Sequence, residues 1–314
     1  MDFSMRVNGK VLLTGEYFVT EGAVALALPT KLGQQISAST VEGAQPTLLW
    51  QSYDENGDLW FEAKFHKKNF ELINAPETEE GKKVAERLQE VLTVARELNE
   101  SFLLEPKATE VRTHLEFPRH WGLGTSSTLI TMVAAWAEVN PYELLEDTFG
   151  GSGYDIAAAK ADGPILFRKF NGRNEWDTSR FNPSYKEQLF FVHLNKKQVS
   201  SEAMAYYKVT APEDRARPLP RISQITHDIA SYTDSLEEFE ALVEEHEALV
   251  QSIVQQPRAK ETYFSDYWGE IKSLGAWGGD FVLATSNRTV KETKAYFEDK
   301  GFKTILSYDE LIKH

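Results

Sequence analysis

The sequence predicts an α+β fold divided into two domains. Its 314 residues exceed the usual length of a single domain. Segments with the alternation of β-strands fill the first 65 residues and precede a clear amphipathic helix, while residues 281–307 alternate strand, helix and strand. Hydrophobic residues make up 41% of the chain and charged residues 26%, as in ordinary globular proteins. We therefore expect most of the chain to be folded.

The first domain is expected to be a sheet with helices that follow glycine-rich turns. Alternating or continuous apolar segments predict strands at 22–29, 34–41, 47–50, 58–65 and 108–117. Apolar residues at helical spacing predict an amphipathic helix over 79–99. Two glycine-containing segments each precede a predicted helix. Residues 118–124 precede a helix at 128–139, and residues 150–153 precede a helix at 154–161. A further strand is predicted at 164–170.

The polar stretch 171–188 predicts the domain boundary. We place it so that the N-terminal domain comprises residues 1–180 and the C-terminal domain residues 181–314. Beyond it, LFFVHL at 189–194 predicts a strand, and Ser235 with Glu238 forms a capping-box pattern at the start of a long amphipathic helix. The second domain is thus expected to hold its own sheet.

Charge and cysteine content restrict the possible partners. The chain has 48 acidic and 34 basic side chains and a net charge of −14, which repels nucleic acids and anionic membranes. An anionic substrate would need local cations, backbone N–H groups or a metal. There is no cysteine, and the N-terminus lacks the apolar core of a signal peptide. We expect a cytoplasmic protein, monomeric or homodimeric, that binds a small anionic molecule and neither nucleic acid nor membrane.

The segment PRHWGLGTSST, residues 118–128, has the features of a phosphate-binding loop. Gly122 and Gly124 allow close approach of the backbone to a ligand, and the helix that follows offers unpaired N–H groups to an anion. Ser126 or Ser127 could give a hydroxyl to magnesium. The structural alternative is an ordinary turn in which Thr125 or Ser126 caps the helix.

Three further segments carry candidate chemistry. Asp155 lies in the first turn of the helix after GGSG, where it could accept or orient a substrate hydroxyl, although Asp also favours helix starts for electrostatic reasons. Lys10 precedes an apolar strand and could keep such a carboxylate ionised, or it could be a solvated lysine at the end of a strand. Gly275 and Gly278 precede a strand at 281, where the backbone could approach phosphate or substrate, or form a simple turn.

Taken in order, these segments resemble the GHMP kinases, the superfamily of galactokinase, homoserine kinase, mevalonate kinase and phosphomevalonate kinase. GKVLLTGEY resembles the N-terminal PGK-x-x-L-x-GE-H signature, GLGTSS the GLGSSAA phosphate loop, GSGYDIAAA the segment of the catalytic aspartate, and SLGAWGGD the C-terminal GAGGGG loop. The resemblance covers residues 8 to about 285. It implies a ribosomal-S5-like N-terminal domain and a ferredoxin-like C-terminal domain, with ATP and substrate in the cleft between them.

The resemblance also implies roles for individual residues. Asp155 becomes the catalytic base or hydroxyl-orienting group, and Lys10 becomes its charge partner. Ser126 becomes a contact of Mg²⁺, with Glu146 as the candidate acidic ligand. The remaining expected contacts belong to the phosphate cradle and to the substrate site: Gly122, Leu123, Gly124, Thr125, Ser126 and Ser127 for the cradle, and Glu16, Gly275 and Gly278 for the substrate.

Two departures from the family pattern are notable. Tyr17 replaces the histidine after GE, and Trp277 replaces a glycine of the C-terminal loop, where it could narrow the substrate pocket. Lys272 and Asp280 resemble the K-x-x-GAGGGD end of phosphomevalonate kinases, and the YDIAAA spelling resembles a bacterial subgroup with a GYDIA motif. Homoserine-kinase-like members lack the aspartate that Asp155 matches.

The function predicted from these features is transfer of the ATP γ-phosphoryl group, with Mg²⁺, to mevalonate or phosphomevalonate. The alternatives within the fold are a sugar or homoserine kinase and a lyase similar to diphosphomevalonate decarboxylase. The alternative of another class is a non-catalytic nucleotide-binding regulator. Two features suggest it: Trp277, and the shortening of the helix before Asp155 that supplies an acidic magnesium ligand in the family. Retention of Lys10, Asp155 and the serine-bearing loop favours an enzyme, since a protein that only binds does not need these groups together.

Overall fold

The computed structural model describes residues 2–42, 45–196, 200–277 and 279–314, with the backbone alone at 200–203 and 206. The chain forms two compact units, and neither is continuous in sequence. Unit 1 contains residues up to 9, 32–119 and 124–159, and unit 2 contains 10–31, 120–123 and 160–314. The strands β1 (Phe3–Thr14) and β2 (Ala25–Val41) each contribute residues to both units.

Unit 1 is a mixed sheet covered by helices. Its other strands are β3 (Thr47–Tyr53), β4 (Leu59–His66), β5 (Leu72–Asn74) and β6 (Ala108–Leu115). The order is β5-β4-β3-β6-β2, with β1 paired to β2. The strands β3 and β6 run parallel, and the pairs β3 with β4, β4 with β5 and β2 with β6 are antiparallel. A parallel pair needs a long crossover, and the helix α1 (Glu79–Leu98) lies within it.

The helices of unit 1 bury one side of this sheet. They are α1, α2 (Thr125–Ala137), α3 (Pro141–Glu146) and α4 (Tyr154–Lys160). Alternate residues of the strands face the helices, for example Leu48 and Trp50 of β3, because successive strand side chains point to opposite faces. Most side chains of α2 are buried, which fixes the direction of the loop that enters it.

Unit 2 holds a β-hairpin and a separate four-stranded antiparallel sheet. The first residues of β2 pair with β7 (Ile165–Phe170), and β7 pairs with β8 (Arg173–Thr178) across the turn Asn171-Gly172. Both turn residues have positive φ, as two-residue hairpin turns of this type require. The second sheet has the order β10-β11-β9-β12, with bounds β9 (Leu189–His193), β10 (Ile271–Ser273), β11 (Phe281–Thr285) and β12 (Ile305–Ser307).

The helices of unit 2 contribute to hydrophobic clusters among the residues that the structure describes. They are α5 (Ser200–Val209), α6 (Pro212–Ala216), α7 (Leu219–Ser231), α8 (Leu236–Val254), α9 (Ala259–Tyr263), α10 (Val290–Asp299) and α11 (Tyr308–Leu311). One cluster joins the four-stranded sheet to α9 and α10 through Phe264 and Phe297. Another surrounds Tyr207 and Trp277. Across the described ranges, no helix is long and apolar enough to cross a membrane.

The α+β prediction is confirmed, and most predicted elements are present. Two strand predictions were wrong in detail. The separate strands at 22–29 and 34–41 are one continuous strand, β2, and the polar stretch at 171–188 is not a plain linker because its first part forms β8. The division at residues 180 and 181 stays a prediction, while the compact units divide at Ala159 and Lys160 and recruit N-terminal segments.

Candidate functional site

The second half of the glycine-rich loop forms the start of α2 in unit 1. Gly124 is the N-cap residue, with φ of 96°, a conformation that glycine adopts readily and other residues rarely do. The Ser127 side chain is buried, and its hydroxyl donates to the Gly124 carbonyl oxygen at 2.8 Å. Ser126 is exposed in the first turn. Of the two serines, Ser126 therefore has the side chain available to a ligand, as the sequence interpretation expected.

The first half of the loop belongs to unit 2, where it is attached to β1. The Lys10 backbone N–H donates to the Leu123 carbonyl oxygen at 2.9 Å, and the Lys10 ammonium donates to the Gly122 carbonyl oxygen at 3.2 Å. Leu123 is buried and Gly122 has φ of 68°. Lys10 lies inside β1, not before a strand as the sequence suggested. One residue of β1 thus holds two successive carbonyls of the loop.

A small aromatic and histidine cluster lines the residues just before Gly122. The His193 ring is buried and accepts the Asn195 N–H at Nδ1, so its other nitrogen, Nε2, can donate to the His120 carbonyl oxygen 3.3 Å away. Burial lowers the pKa of His193, which favours this neutral form. Trp121 packs edge-to-face on Phe281, with ring centroids 5.5 Å apart. These contacts fix the approach of the chain to the loop, and nothing in the sequence pattern identified them.

Asp155 lies in the first turn of α4, as predicted. The preceding residues Gly150, Gly151 and Gly153 all have positive φ, and the Asp155 carboxylate accepts the N–H of Ile156 at 3.1 Å. The side chain is half-buried. Asp155 and Lys10 belong to different compact units, so their pairing remains a prediction of the family resemblance.

The residues expected at the substrate site have different environments. Glu16 is 1% exposed, and its Oε1 lies 2.6 Å from the Lys272 ammonium. Gly275 is half-buried with φ of 63° and open space around its Cα, which is compatible with close approach of a ligand. Gly278 lies outside the described residues. The substrate roles of Glu16 and Gly275 stay predictions, and Glu16 has an evident structural role.

Glu16 belongs to a fully buried cluster of ionisable groups, the Glu16 cluster, formed by Glu16, His246, Glu247, Lys272 and Ser273. Lys272 contacts Glu247 Oε1 at 3.4 Å and the Ser273 carbonyl oxygen at 3.0 Å. The Ser273 hydroxyl donates to Glu247 Oε2 at 3.0 Å. His246 Nε2 accepts the N–H of Gly15 at 3.0 Å and lies 3.3 Å from Glu16 Oε2. The cluster connects the turn after β1 to α8 and β10.

The charges of the Glu16 cluster balance only with an extra proton. Because Nε2 of His246 accepts a backbone N–H, this ring is neutral, and two carboxylates then face one ammonium. Burial raises the pKa of Glu16 to about 7 in spite of the neighbouring Lys272. Burial likewise raises the pKa of Glu247, and burial together with Lys272 holds the pKa of His246 well below its ordinary value. The extra proton therefore belongs on one of the two glutamate carboxyl groups.

Trp277 is a core residue of unit 2. Its side chain is 1% exposed and packs with Phe18 and Ile222 in unit 2. Its backbone N–H donates to the Tyr17 hydroxyl at 2.9 Å, and the Tyr17 ring stacks on Tyr207 with centroids 5.4 Å apart. These contacts give Trp277 a structural role, and its predicted effect on the substrate pocket stays a prediction.

The candidate metal ligands form no preassembled cage. Within the part of the chain that the structure describes, no group of three or more His, Cys, Asp or Glu side chains could hold a metal ion. Glu146 is exposed at the end of α3, and the Glu143 carboxylate accepts from the Asn140 side chain. Mg²⁺ in nucleotide enzymes usually relies on the phosphates and on one or two protein oxygens. The exposed Ser126 hydroxyl is compatible with that mode, and the metal-binding roles of both Ser126 and Glu146 stay predictions.

The chain is similar to known proteins in structure, whereas comparisons of its sequence find no match. No family model and no curated protein sequence matches the chain. Among similar solved structures is the Methanococcus jannaschii mevalonate kinase, with a TM-score of 0.71, 14% identity and coverage of 99% of this chain and 98% of that one. Another is the Streptococcus pneumoniae phosphomevalonate kinase in complex with phosphomevalonate and AMPPNP, with a TM-score of 0.69, 16% identity and coverage of 97% of this chain and 99% of that one.

The Lactococcus lactis galactokinase complexed with galactose is also similar, with TM-score 0.68, 14% identity and coverage of 98% and 93%. These neighbours are kinases of the GHMP superfamily, and each similarity extends over almost the whole of both chains. The loop that leads into α2, the strand β1 beside it and the two sheets are thus parts of one known architecture. This protein has the GHMP kinase fold.

Proposed function

We propose that this protein is an ATP-dependent kinase that phosphorylates a small anionic molecule, with mevalonate or phosphomevalonate as the acceptor. The observation that carries the proposal is the geometry of residues 122–127 within a GHMP kinase fold. Gly124 turns the chain into α2, Ser126 is exposed in the first turn, and Ser127 is fixed inward. A helix start with free N–H groups stabilises phosphate oxygens through hydrogen bonds and the helix dipole.

Lys10 supports this function from β1. Its hydrogen bond to the Gly122 carbonyl oxygen places a positive charge beside the loop. In a protein with a net charge of −14, a local cation is needed to offset repulsion of a triphosphate. Phosphoryl transfer depends mainly on positioning and on stabilisation of charge in the transition state, so a fixed cation here would contribute directly.

Asp155 is the proposed acceptor-side residue. With mevalonate, its carboxylate would take the proton of the attacking hydroxyl. With phosphomevalonate, the attacking phosphate oxygen is already ionised, and Asp155 would orient the acceptor instead. The glycines before α4 set the backbone direction of Asp155, which suits a residue that must be held in place.

Mg²⁺ would join ATP at this site, with Ser126 as a protein ligand and the phosphate oxygens as the main ones. The ion would neutralise the charge that develops on the transferred group. The exposed position of the Ser126 hydroxyl beside the helix start is compatible with this arrangement. The protein residues would then orient the nucleotide while the metal and Lys10 share its charge.

The choice of acceptor rests on the sequence. Asp155 and the KSLGAWGGD segment favour mevalonate or phosphomevalonate over homoserine, while the similarity to galactokinase keeps a sugar as the second candidate. Trp277 was one of the two sequence arguments for a non-catalytic regulator, and its burial in a core cluster gives it a structural explanation instead. The absence of cysteine supports a reducing, cytoplasmic location.

The test is an assay of ADP release with Mg²⁺-ATP and separate acceptors: mevalonate, phosphomevalonate, diphosphomevalonate, galactose, homoserine and a heptose phosphate. Turnover that depends on one acceptor supports the kinase and identifies its branch, and carbon dioxide release with diphosphomevalonate would indicate the lyase instead. ATP binding without turnover on any acceptor would contradict the proposal and favour the regulator.

The variant Asp155→Asn is expected to lower kcat by about 10²- to 10⁴-fold, because loss of a positioned base typically costs this much. Its Kd for ATP should stay within a few-fold of the wild-type value, because Asp155 is assigned to the acceptor. Unchanged turnover would refute the role of Asp155.

A further inference from the structure

A contact between Asp280 and Gly122 is not explained by the function proposed above. A Cβ atom added at Gly122 would overlap Cγ and Oδ2 of Asp280 and would lie 2.8 Å from its Oδ1. The Asp280 carboxyl group therefore occupies the space that a side chain at Gly122 would need. Gly122 is the residue whose carbonyl oxygen accepts the Lys10 ammonium, so two charged side chains meet at one loop residue.

Asp280 is held in this position by its own backbone. Its φ is 52°, in the left-handed region that Asp tolerates better than most residues. Its N–H donates to the Lys196 carbonyl oxygen at 2.7 Å, and its carbonyl oxygen accepts the Leu194 N–H at 2.8 Å. Asp280 directly precedes β11, and these two hydrogen bonds attach it to the segment that follows β9. A strained conformation that is fixed on both sides directs the side chain towards one place.

Both ends of Gly122 are also restrained. The Lys10 N–H holds the carbonyl of Leu123 after it, and the ring of Trp121 before it packs on Phe281, the residue next to Asp280. Glycine has more conformational freedom than other residues, so a phosphate loop built on glycine needs external contacts to keep one geometry. The contacts of Asp280, which lies just before β11, and of Lys10 in β1 supply such restraint.

We propose that Asp280 is a positioning residue of the phosphate loop: its carboxyl group packs against Gly122 and, with Lys10, keeps the loop in the conformation that binds the nucleotide. This inference rests on the proposed function, since it names what prepares the same loop for ATP. The effect depends on the shape of the carboxyl group. An anionic group near a triphosphate gives no attraction of its own.

The test compares truncation with shape-preserving substitution. Asp280→Ala should weaken ATP binding about 10-fold, whereas Asp280→Asn, which keeps the shape and tolerates positive φ, should bind ATP at least as tightly as the wild type. The matched control for the backbone change is Asn171→Ala, at φ of 50° in the β7–β8 turn. Kd for ATP, measured by equilibrium dialysis without acceptor, and KM for ATP should change together, while KM for the acceptor stays within about two-fold.

A second pair of variants tests the contact itself. Gly122→Ala should abolish measurable ATP binding, while Gly172→Ala, at φ of 75° with nothing within 4 Å of the added Cβ, should leave it unchanged. In the Asp280→Ala background, Gly122→Ala should cost less affinity than in the wild type, because the overlapping group is gone.

The outcomes separate this inference from the proposed function. If the wild-type chain binds no ATP, the proposed function itself fails. If the wild type binds ATP and Asp280→Ala binds it equally well, or if Asp280→Asn is as weak as Asp280→Ala, the positioning role is overturned. Equal loss of affinity for acceptor and ATP would also overturn it, because general structural damage acts on both.

Discussion

Replacing Lys272 with methionine is the sharpest test of the electrostatics in this protein. The Lys272 ammonium is completely buried and holds the carboxylates of Glu16 at 2.6 Å and Glu247 at 3.4 Å. Methionine has a similar length and no charge, so the packing is largely kept and the cation is removed. Two buried carboxyl groups then lack their counter-charge.

The expected loss of folding free energy is about 3–5 kcal/mol near pH 7.5, the range found when one partner of a buried ion pair is removed. The loss arises because the variant must either bury uncompensated charge or bind protons that the unfolded chain does not bind at that pH. Ser273 can still donate to Glu247, so the estimate is closer to the lower end if Glu16 alone takes up a proton. No exposed salt bridge of the protein would give a comparable effect.

The raised pKa of Glu16 determines whether stability rises or falls with pH. In the wild type, burial raises the pKa of Glu16 to about 7 from an ordinary value of 4.5, so the stability that Glu16 contributes is lost as pH rises from about 4.5 to about 7. Without Lys272 the pKa of Glu16 rises further, and the loss continues above pH 7. Between pH 7 and 8.5 the variant should lose up to about 1.4 kcal/mol per pH unit for each carboxyl group still protonated, relative to the wild type. His246 does not confuse this range, because its lowered pKa affects stability only below about pH 6.5.

The assay is reversible urea unfolding followed by circular dichroism at pH 7.0, 7.75 and 8.5. The control is Lys260→Met, which removes a partly exposed pair with Glu270 at 2.7 Å and should cost less than about 1 kcal/mol at every pH. A Lys272→Met variant that is destabilised by less than 1 kcal/mol, or by the same amount at all three pH values, would refute the reasoning about the Glu16 cluster.

Three further predictions concern the loop and the core. Ser126→Ala should lower kcat about 10-fold or more with little change in stability. Ser127→Ala should cost about 1 kcal/mol of stability, because the hydrogen bond to the Gly124 carbonyl oxygen is lost. Steady-state kinetics and urea unfolding distinguish the two effects, and the reversed pattern would contradict the assignment. Gly15→Ala should cost more than 3 kcal/mol, since its φ is 87° and the added Cβ would lie 2.8 Å from a neighbouring Cβ, whereas Gly57→Ala, at φ of 83° in open space, should cost about 1–2 kcal/mol by the same unfolding measurement. Trp277→Ala should lower the free energy of unfolding by about 3–5 kcal/mol and leave the order of preference among acceptors unchanged in the ADP-release assay. A changed order of preference would indicate that Trp277 shapes the substrate pocket.

The sequence predicted the elements whose signals are local. The helix α1 was predicted within one residue at its C-terminal end, because its apolar spacing and its acidic first turn lie in one segment. The strand β2 was divided in two because Pro29 and Gly33 indicate a turn. In the structure Gly33 lies against the carbonyl of Val7, with no room for a side chain, and the strand continues. A glycine required by close packing cannot be distinguished from a turn glycine by sequence pattern alone.

The hairpin β7–β8 was missed although its signal was present. Asn171-Gly172 is the dipeptide that favours two-residue hairpin turns, and it follows a segment that was recognised as a strand. The residues after it are mostly exposed and polar, so the alternation of a half-buried strand is absent. Edge strands of this kind are defined by pairing with a neighbour, which composition does not reveal.

The Glu16 cluster could be predicted only in part. His246 and Glu247 are each three or four residues from both Val243 and Val250, so they occupy the apolar stripe of α8. Two ionisable residues in a buried stripe require a partner in the core, and this was the available signal. The partner, Lys272, is 256 residues from Glu16, and no local pattern joins positions so far apart.

The two departures from the family motifs have one explanation in the structure. Tyr17 stands where the N-terminal motif has histidine, and Trp277 stands where the C-terminal loop has glycine. The Tyr17 hydroxyl accepts the backbone N–H of Trp277, and both side chains lie in the same buried cluster with Tyr207. Each large side chain therefore fills space beside the other, and the two replacements are coupled through packing. The loops that carry Tyr17 and Trp277 are thus joined by a hydrogen bond and by shared packing, so shortening either side chain should leave a cavity beside the other.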